Sequence, residues 1–335
     1  MQKTAANYPT FAHGDTHFQA REQTRSDLSR QVMWKYRERS LHYGGIMELP
    51  KHGVLGFFDT LRGPEVGPFA RKVEQLGYDA LWVPEVMGRE IFSLSTYVLS
   101  QTERVVVGTG VAIAYSYEPI AAMGAARAMS EFFGNRFIFG LGVSNKTYNA
   151  RRGIGYEKPV AFMRDYIAKM KAAPYNAPTP KEEPPIVIAA MMPKMLELAA
   201  TETHGTLTYF TTTEQVAGYR KALGPKPWLA AVQLVMMESD AAKARAGARR
   251  YMQIYLAIEH YLQRLRKLGF AEQDFANGGS DRLIDAIIAW GNEGQIRERI
   301  DAQFRVGANH VCIVPLRSDG GLGADERCLV ALAPR

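Results

Sequence analysis

Three polar side chains stand directly behind short apolar runs, where a buried strand would deliver them to an open end. Asp59 follows GVLGFF (53–58), Glu85 follows DALWVP (79–84) and Asn145 follows RFIFGLGVS (136–144). A carboxyl group so placed can give or take a proton during a reaction. Small residues accompany them: Gly108, Thr109, Gly110 and Val111 in one run, and Gly140, Leu141, Gly142, Val143 and Ser144 in another. Such residues accommodate strand curvature, and they also let a planar ring approach the backbone. Ala189, Ala190, Met191, Met192 and Pro193 lead into a helical pattern. Proline fits a first helical turn, and the free N–H groups there attract a phosphate.

Each candidate has a plainer reading. Asp59 suits a helix cap, or a tie on the Arg62–Gly63–Pro64 turn, and Glu85 suits a solvated rim. Arg151 and Arg152 read as a surface pair, and His260 as a packed or solvated histidine. The GxG pairs at 108–110 and 140–142 lack a third glycine, and no GK[ST] follows, so neither is a nucleotide fingerprint.

The elements that must position these residues alternate. Apolar runs at 53–58, 79–84, 104–114, 136–143, 185–191, 205–210, 228–237 and 309–315 are continuous, as strands covered on both faces require. Helical spacing separates them at 65–76, 91–101, 118–133, 159–172, 193–203 and 214–223. A long amphipathic helix is expected over 240–268, with Tyr251, Tyr255 and Leu265 on its apolar face, followed by helices at 281–289 and 293–306. Eight βα units predict a (β/α)₈ TIM barrel with extra helices between strands seven and eight. In such barrels the site lies at the C-terminal strand ends, which is where the candidates fall.

The chain has 335 residues, 47% hydrophobic and 22% charged, with a net charge of +7. No apolar run is long enough to span a membrane, and no nucleic-acid motif is present. Two cysteines, Cys312 and Cys328, suggest neither a disulfide scaffold nor a metal cluster. No secretory h-region is visible, so a cytoplasmic location is expected, with no metal, membrane or nucleic-acid partner. A homodimer is compatible with this composition. Residues 1–46 differ from the rest. Up to Gly45 they hold only Leu28, Val32 and Leu41 as aliphatic β- or γ-branched residues, which predicts a disordered extension preceding a barrel over 47–335.

From about residue 53 onward the chain resembles the bacterial luciferase-like superfamily, especially its coenzyme F420-dependent oxidoreductases. The segments that carry the resemblance are ALWVPEVMGRE (80–90), RVVVGTGVAIAYSYEP (104–119), NRFIFGLGVS (135–144), PPIVIAAMMPKMLELAATETHGTLTYF (184–210) and DRLIDAIIAWGNEGQIRERIDAQFRVGANHVCIVPL (281–316). The resemblance implies an F420 cofactor across the barrel mouth, and hydride transfer between its deazaflavin C5 and a small organic substrate. Related deazaflavin enzymes place an aspartate and then a histidine at the end of strand two. Pro84 and Glu85 stand there, which implies an acid/base or positioning role for Glu85. A non-prolyl cis peptide is implied at Gly110–Val111, backing the central ring, with Val143 and Ser144 beside it. Asn145 replaces the catalytic glutamate of sugar-oxidising relatives, which argues against a sugar-phosphate substrate. Asp59 and Asn145 are the next polar candidates for catalysis. In the implied phosphate turn Ala189, Ala190 and Pro193 match, while Met191 and Met192 replace glycines. An FMN-dependent monooxygenase or reductase on the same scaffold is the alternative reading, and a non-catalytic ligand-binding barrel the remoter one.

Deleting residues 1–46 is expected to leave the melting temperature unchanged, because the segment has no apolar face to dock. A loss of several degrees on deletion would show that it packs on the barrel.

Overall fold

Every apolar run expected as a buried strand forms one in the computed structural model, which describes residues 47–334. The expected extension, residues 1–46, lies outside the described residues. The strands are β1 (His52–Leu55), β2 (Ala80–Val83), β3 (Val106–Thr109), β4 (Ala112–Ile113), β5 (Phe137–Gly142), β6 (Ile186–Ile188), β7 (Gly205–Thr208), β8 (Trp228–Met237), β9 (Ile288–Gly291) and β10 (His310–Pro315). All the pairings are parallel. The order runs β1-β2-β3-β5-β6-β7-β8, and β10 closes the ring by pairing with both β8 and β1. The result is the expected closed eight-stranded barrel. Helices α1 (Gly63–Gln75), α2 (Ile91–Ser100), α3 (Pro119–Phe132), α4 (Lys146–Arg151), α5 (Pro159–Lys171), α6 (Pro193–Glu202) and α7 (Thr213–Leu223) follow the strands in turn.

Three features depart from the expected pattern. The run 104–114 is two strands, β3 and β4, rather than one; the Gly110–Val111 peptide between them is cis, as the resemblance implied. The long helix expected over 240–268 is broken at Ala257 and Ile258 into α8 (Ala241–Leu256) and α9 (Glu259–Arg266). After α10 (Glu272–Phe275), α11 (Asp281–Ile287) gives way to β9, where a helix was expected through 289. β9 pairs Leu234–Met237 of β8 beyond the last β7 partner, Ala231, so it extends the edge that β7 vacates. Helices α12 (Glu293–Arg305) and α13 (Glu326–Ala331) complete the chain.

Packing explains the strand glycines. A Cβ on Gly108 would lie 2.6 Å from the Trp82 ring, and one on Gly142 would lie 2.6 Å from Val111 Cγ2. Gly140 faces the Thr109 carbonyl, and its N–H donates to the Thr109 hydroxyl at 2.8 Å. These positions make room for neighbouring residues of the barrel wall.

Trp82 and His310 are fully buried. The indole N–H donates to His310 Nε2 at 2.9 Å, and His310 Nδ1 lies 2.6 Å from the Pro50 carbonyl. Both ring nitrogens are therefore satisfied by one neutral tautomer, protonated at Nδ1. A Cβ on Gly53 would lie 2.6 Å from this ring, so glycine leaves the space the ring fills.

Burial lowers the His310 pKa from 6.5 to about 4. Between those values the unfolded chain binds a proton that the folded ring refuses. Stability from this group is complete above pH 6.5 and is lost as pH falls toward 4, by up to about 3 kcal/mol. His52, His204 and His260 are also lowered by burial and add to the wild-type slope. A His310→Gln variant should show a shallower loss of unfolding free energy over this window, measured in urea. An unchanged slope would remove His310 as a source.

Candidate functional site

The C-terminal ends of the strands enclose a cavity of about 360 Å³. That lies within the range of ligand sites, about 300–1,000 Å³. Its wall is mostly apolar, with Val111, Val143, Met191 and Leu207 among the lining residues. Of the residues expected from sequence, Glu85, Gly110, Val111, Val143, Ser144, Asn145, Ala189, Met191 and Met192 meet here.

Glu85 is held from two sides. Its Oε2 accepts the Ile113 N–H at 2.7 Å, and its Oε1 pairs with Arg152 Nη1 at 2.8 Å. The two side chains are 5% and 19% exposed, so the pair is largely desolvated. Arg152 also donates to Ser116 Oγ at 3.0 Å and to the Val86 carbonyl. The bond to Ile113 uses the backbone freed where the strand is interrupted between β3 and β4. Arg152, read from sequence as a surface residue, is thus the main partner of Glu85. Arg151 stacks its guanidinium over Tyr148 at 5.3 Å.

Asn145 caps α4, its Oδ1 accepting the Tyr148 N–H at 3.0 Å, which leaves its amide nitrogen for a ligand. Ser144 has φ +55°, and this left-handed residue turns the chain out of β5 into the cap. Buried Asn149 fixes the turn by donating to the Val143 carbonyl at 3.0 Å.

Two expected residues do not line the cavity. Asp59 is exposed in a 3₁₀ turn, where its Oδ1 accepts the Arg89 N–H at 3.1 Å. Arg89 in turn donates to the Phe58 and Leu61 carbonyls. Asp59 therefore anchors the loop after β2 and is not among the residues lining the cavity. Ala190 is fully buried. Its N–H donates to the Thr206 hydroxyl at 3.0 Å, and that hydroxyl donates to the Ala190 carbonyl at 3.1 Å. The Ala189 N–H is bound to the Leu141 carbonyl at 2.7 Å. Neither alanine can offer an N–H to an anion, so the turn can do so only from Met191 onward.

The sequence reading missed most of the opposite wall. Tyr209, just past β7, meets Tyr251 and Tyr255 of α8 in a triangle of hydroxyls. Tyr209–Tyr255 is 3.0 Å and Tyr251–Tyr255 is 3.2 Å, with Tyr209–Tyr251 the third side. Burial first, then mutual repulsion, pushes the Tyr209 and Tyr251 pKa values far up, so these hydroxyls stay protonated. His260 also lines the cavity. Burial and the charge of Arg264 bring its pKa down to about 4, so it is neutral at physiological pH. Tyr251 and Tyr255 were legible as the apolar face of a helix. Their convergence with Tyr209 depends on the fold and left no local signal.

Among the described residues, no group of His, Cys, Asp or Glu could hold a metal ion, and no helix is long and apolar enough to cross a membrane. Residues 59–310 match the luciferase-like monooxygenase family. The chain belongs to that family. Its barrel and its enzyme class are those the sequence led us to expect. A 5,10-methylenetetrahydromethanopterin reductase of Methanolobus tindarius is 24% identical over 289 residues, covering 74% of this chain and 89% of that protein. A Mycobacterium tuberculosis protein assigned as a coenzyme F420-dependent oxidoreductase is 26% identical over 245 residues, covering 60% and 71%. Among solved structures, an F420-dependent secondary alcohol dehydrogenase in complex with an F420–acetone adduct superposes with a TM-score of 0.68. It is 15% identical and covers 85% of this chain and 97% of its own.

Removing one partner of the buried Glu85–Arg152 pair should cost more than removing both. Arg152→Met leaves a desolvated carboxylate with one donor, at an expected cost of about 2–4 kcal/mol. Adding Glu85→Gln should recover part of that loss in a urea double-mutant cycle. Strict additivity would show that the two groups are not coupled.

Proposed function

We propose that this protein is an F420-dependent oxidoreductase, in which the bound cofactor exchanges a hydride at its deazaflavin C5 with a small organic substrate. The observation that carries this reading is the cavity at the barrel mouth. Its volume and apolar lining suit a flat tricyclic ring, and the Gly110–Val111 and Gly142 backbones form a wall without bulky side chains. The relatives named above support the reading, since two of the three carry F420 in their names. The protein's share of such chemistry is orientation, exclusion of water and proton handling.

In this reading Gly110, Val111, Val143 and Ser144 support the ring. Ala189, Met191 and Met192 border the cofactor's phosphate side. Glu85 is assigned the proton. Flanked by the Ile113 N–H and Arg152, its carboxylate has acceptor capacity left for a substrate proton. Asn145 is assigned a substrate or cofactor oxygen through its amide nitrogen.

The cofactor assignment is tested by titrating the purified protein separately with F420 and with FMN, following each absorbance band. Saturable binding of F420 and weak binding of FMN is expected. Tight FMN binding would move the protein to the FMN-dependent branch, and binding of neither would make it a ligand-binding barrel. A substrate screen with reduced F420 under anaerobic conditions then permits the kinetic test. Glu85→Gln should lower kcat by about 10²–10⁴-fold, with cofactor affinity changed far less. Normal turnover at saturating cofactor, with weakened binding, would reduce Glu85 to a positioning role.

A further inference from the structure

Arg264, on α9, is 3% exposed and lines the cavity. Its Nη1 donates to Met191 Sδ at 3.1 Å and to the Tyr219 hydroxyl at 3.2 Å. Its Nη2 reaches the Tyr209 and Phe210 carbonyls, both at 3.3 Å. Its Nε is buried and has no partner. The guanidinium also lies over the Tyr261 ring, 5.0 Å from its centroid.

Every one of these acceptors is neutral. Among the described residues, no carboxylate lies within ion-pair distance of Arg264. The other buried arginine differs: Arg127 pairs with Glu183 at 3.0 Å. A desolvated cation without a counter-charge costs several kcal/mol, and long contacts to neutral acceptors recover only part of it. Among the described residues, the surroundings supply no anion. Tyr209, Tyr251 and Tyr255 keep their protons, His260 is neutral, and Glu85 is engaged by Arg152. This wall of the cavity therefore carries an uncompensated positive charge. Its planar donor set matches the two oxygens of a carboxylate or phosphate.

We propose that Arg264 is the binding residue for an oxyanion, a carboxylate or phosphate group, that enters the cavity beside Met191. The inference extends the cofactor reading by naming the charged group that this site takes. That oxyanion has two sources: the phosphate of the cofactor, or an acidic group on the substrate.

The test starts without any cofactor. The full chain is titrated with inorganic phosphate, with chloride exchanged to hold ionic strength constant, and the melting temperature is followed. The wild type should show a saturable rise. Arg264→Met keeps the length and bulk of the side chain and removes the charge. Its melting temperature without phosphate should equal or exceed that of the wild type, because a buried uncompensated charge is gone. Its apparent Kd for phosphate should rise by about tenfold or more. Arg264→Lys keeps a charge without the fork and should respond more weakly than the wild type. It also keeps the comparison alive if the Met variant does not fold. A wild type with no saturable response, or an equal response in the Met variant, would overturn the proposal.

A second arm separates the sources. F420 and its phosphate-free chromophore are each titrated against wild type and Arg264→Met. Weakened F420 binding with unchanged chromophore binding assigns the cofactor phosphate. Unchanged F420 binding, with the phosphate response persisting in the F420-loaded wild type, assigns a substrate anion. Failure of F420 to bind at all would sink the cofactor reading and leave the phosphate result standing on its own.

Discussion

A parallel strand has no hairpin neighbour, so none of these strands can complete its ladder locally. The ladder is complete only when β10 reaches β8 on one side and β1 on the other. Everything functional in the molecule waits on that closure. Glu85 and Arg152 are 67 positions apart, and Met191 and Arg264 are 73 apart. Such contacts form only after the entropy of long loops has been spent on the ring. The inward-facing side chains then set how tightly the ring can close. Trp82 and His310 bond across the interior, and Gly53 and Gly108 supply the space for their rings. A single neutral histidine tautomer thereby becomes part of the scaffold, and proton uptake there opposes folding.

The strands were legible because burial on both faces leaves an unbroken apolar run, a signal that needs no tertiary information. Seven of the eight barrel strands fall within the runs identified from sequence, and β1 begins one residue earlier, at His52. β9 escaped notice because four residues, Ile288–Gly291, directly continue an apolar helix face, and so short a run does not separate strand from helix. The break at Ala257 and Ile258 escaped for a similar reason, since neither residue forbids helix and the turn is set by packing. At the site, the strand-end rule recovered the small residues and Glu85. It also swept in Asp59, whose position after β1 is right but whose carboxylate turns to the Arg89 N–H. It swept in Ala190, whose N–H is taken by Thr206. Position along a strand can be read from spacing. Which way a polar group turns, and what already occupies its hydrogen bonds, cannot.

Two arginines, one lining the cavity and one paired to the lining residue Glu85, show why that distinction governs chemistry. In sequence Arg152 reads as half of a surface pair, and nothing singles out Arg264. In the fold, Arg152 spends its charge on Glu85, and the pair presents little net field to a ligand. Among the described residues, Arg264 faces only sulfur, hydroxyl, carbonyl and ring acceptors, so its charge is available. The cavity is therefore electrically lopsided: a neutralised pair on the side of β2, a cation on the side of α9. Any ligand with one acidic end is oriented by this asymmetry before it makes a specific contact. Under the proposed function, the strand ends hold the ring that every such reaction shares. α9 belongs to the excursion between β8 and β10, which the barrel does not need for closure. Substitutions there can change which acidic group is accepted while the ladder, the Glu85–Arg152 pair and the buried histidine stay as they are. Under these proposals the frame and the recognition element occupy separate stretches of chain, so one can change without the other.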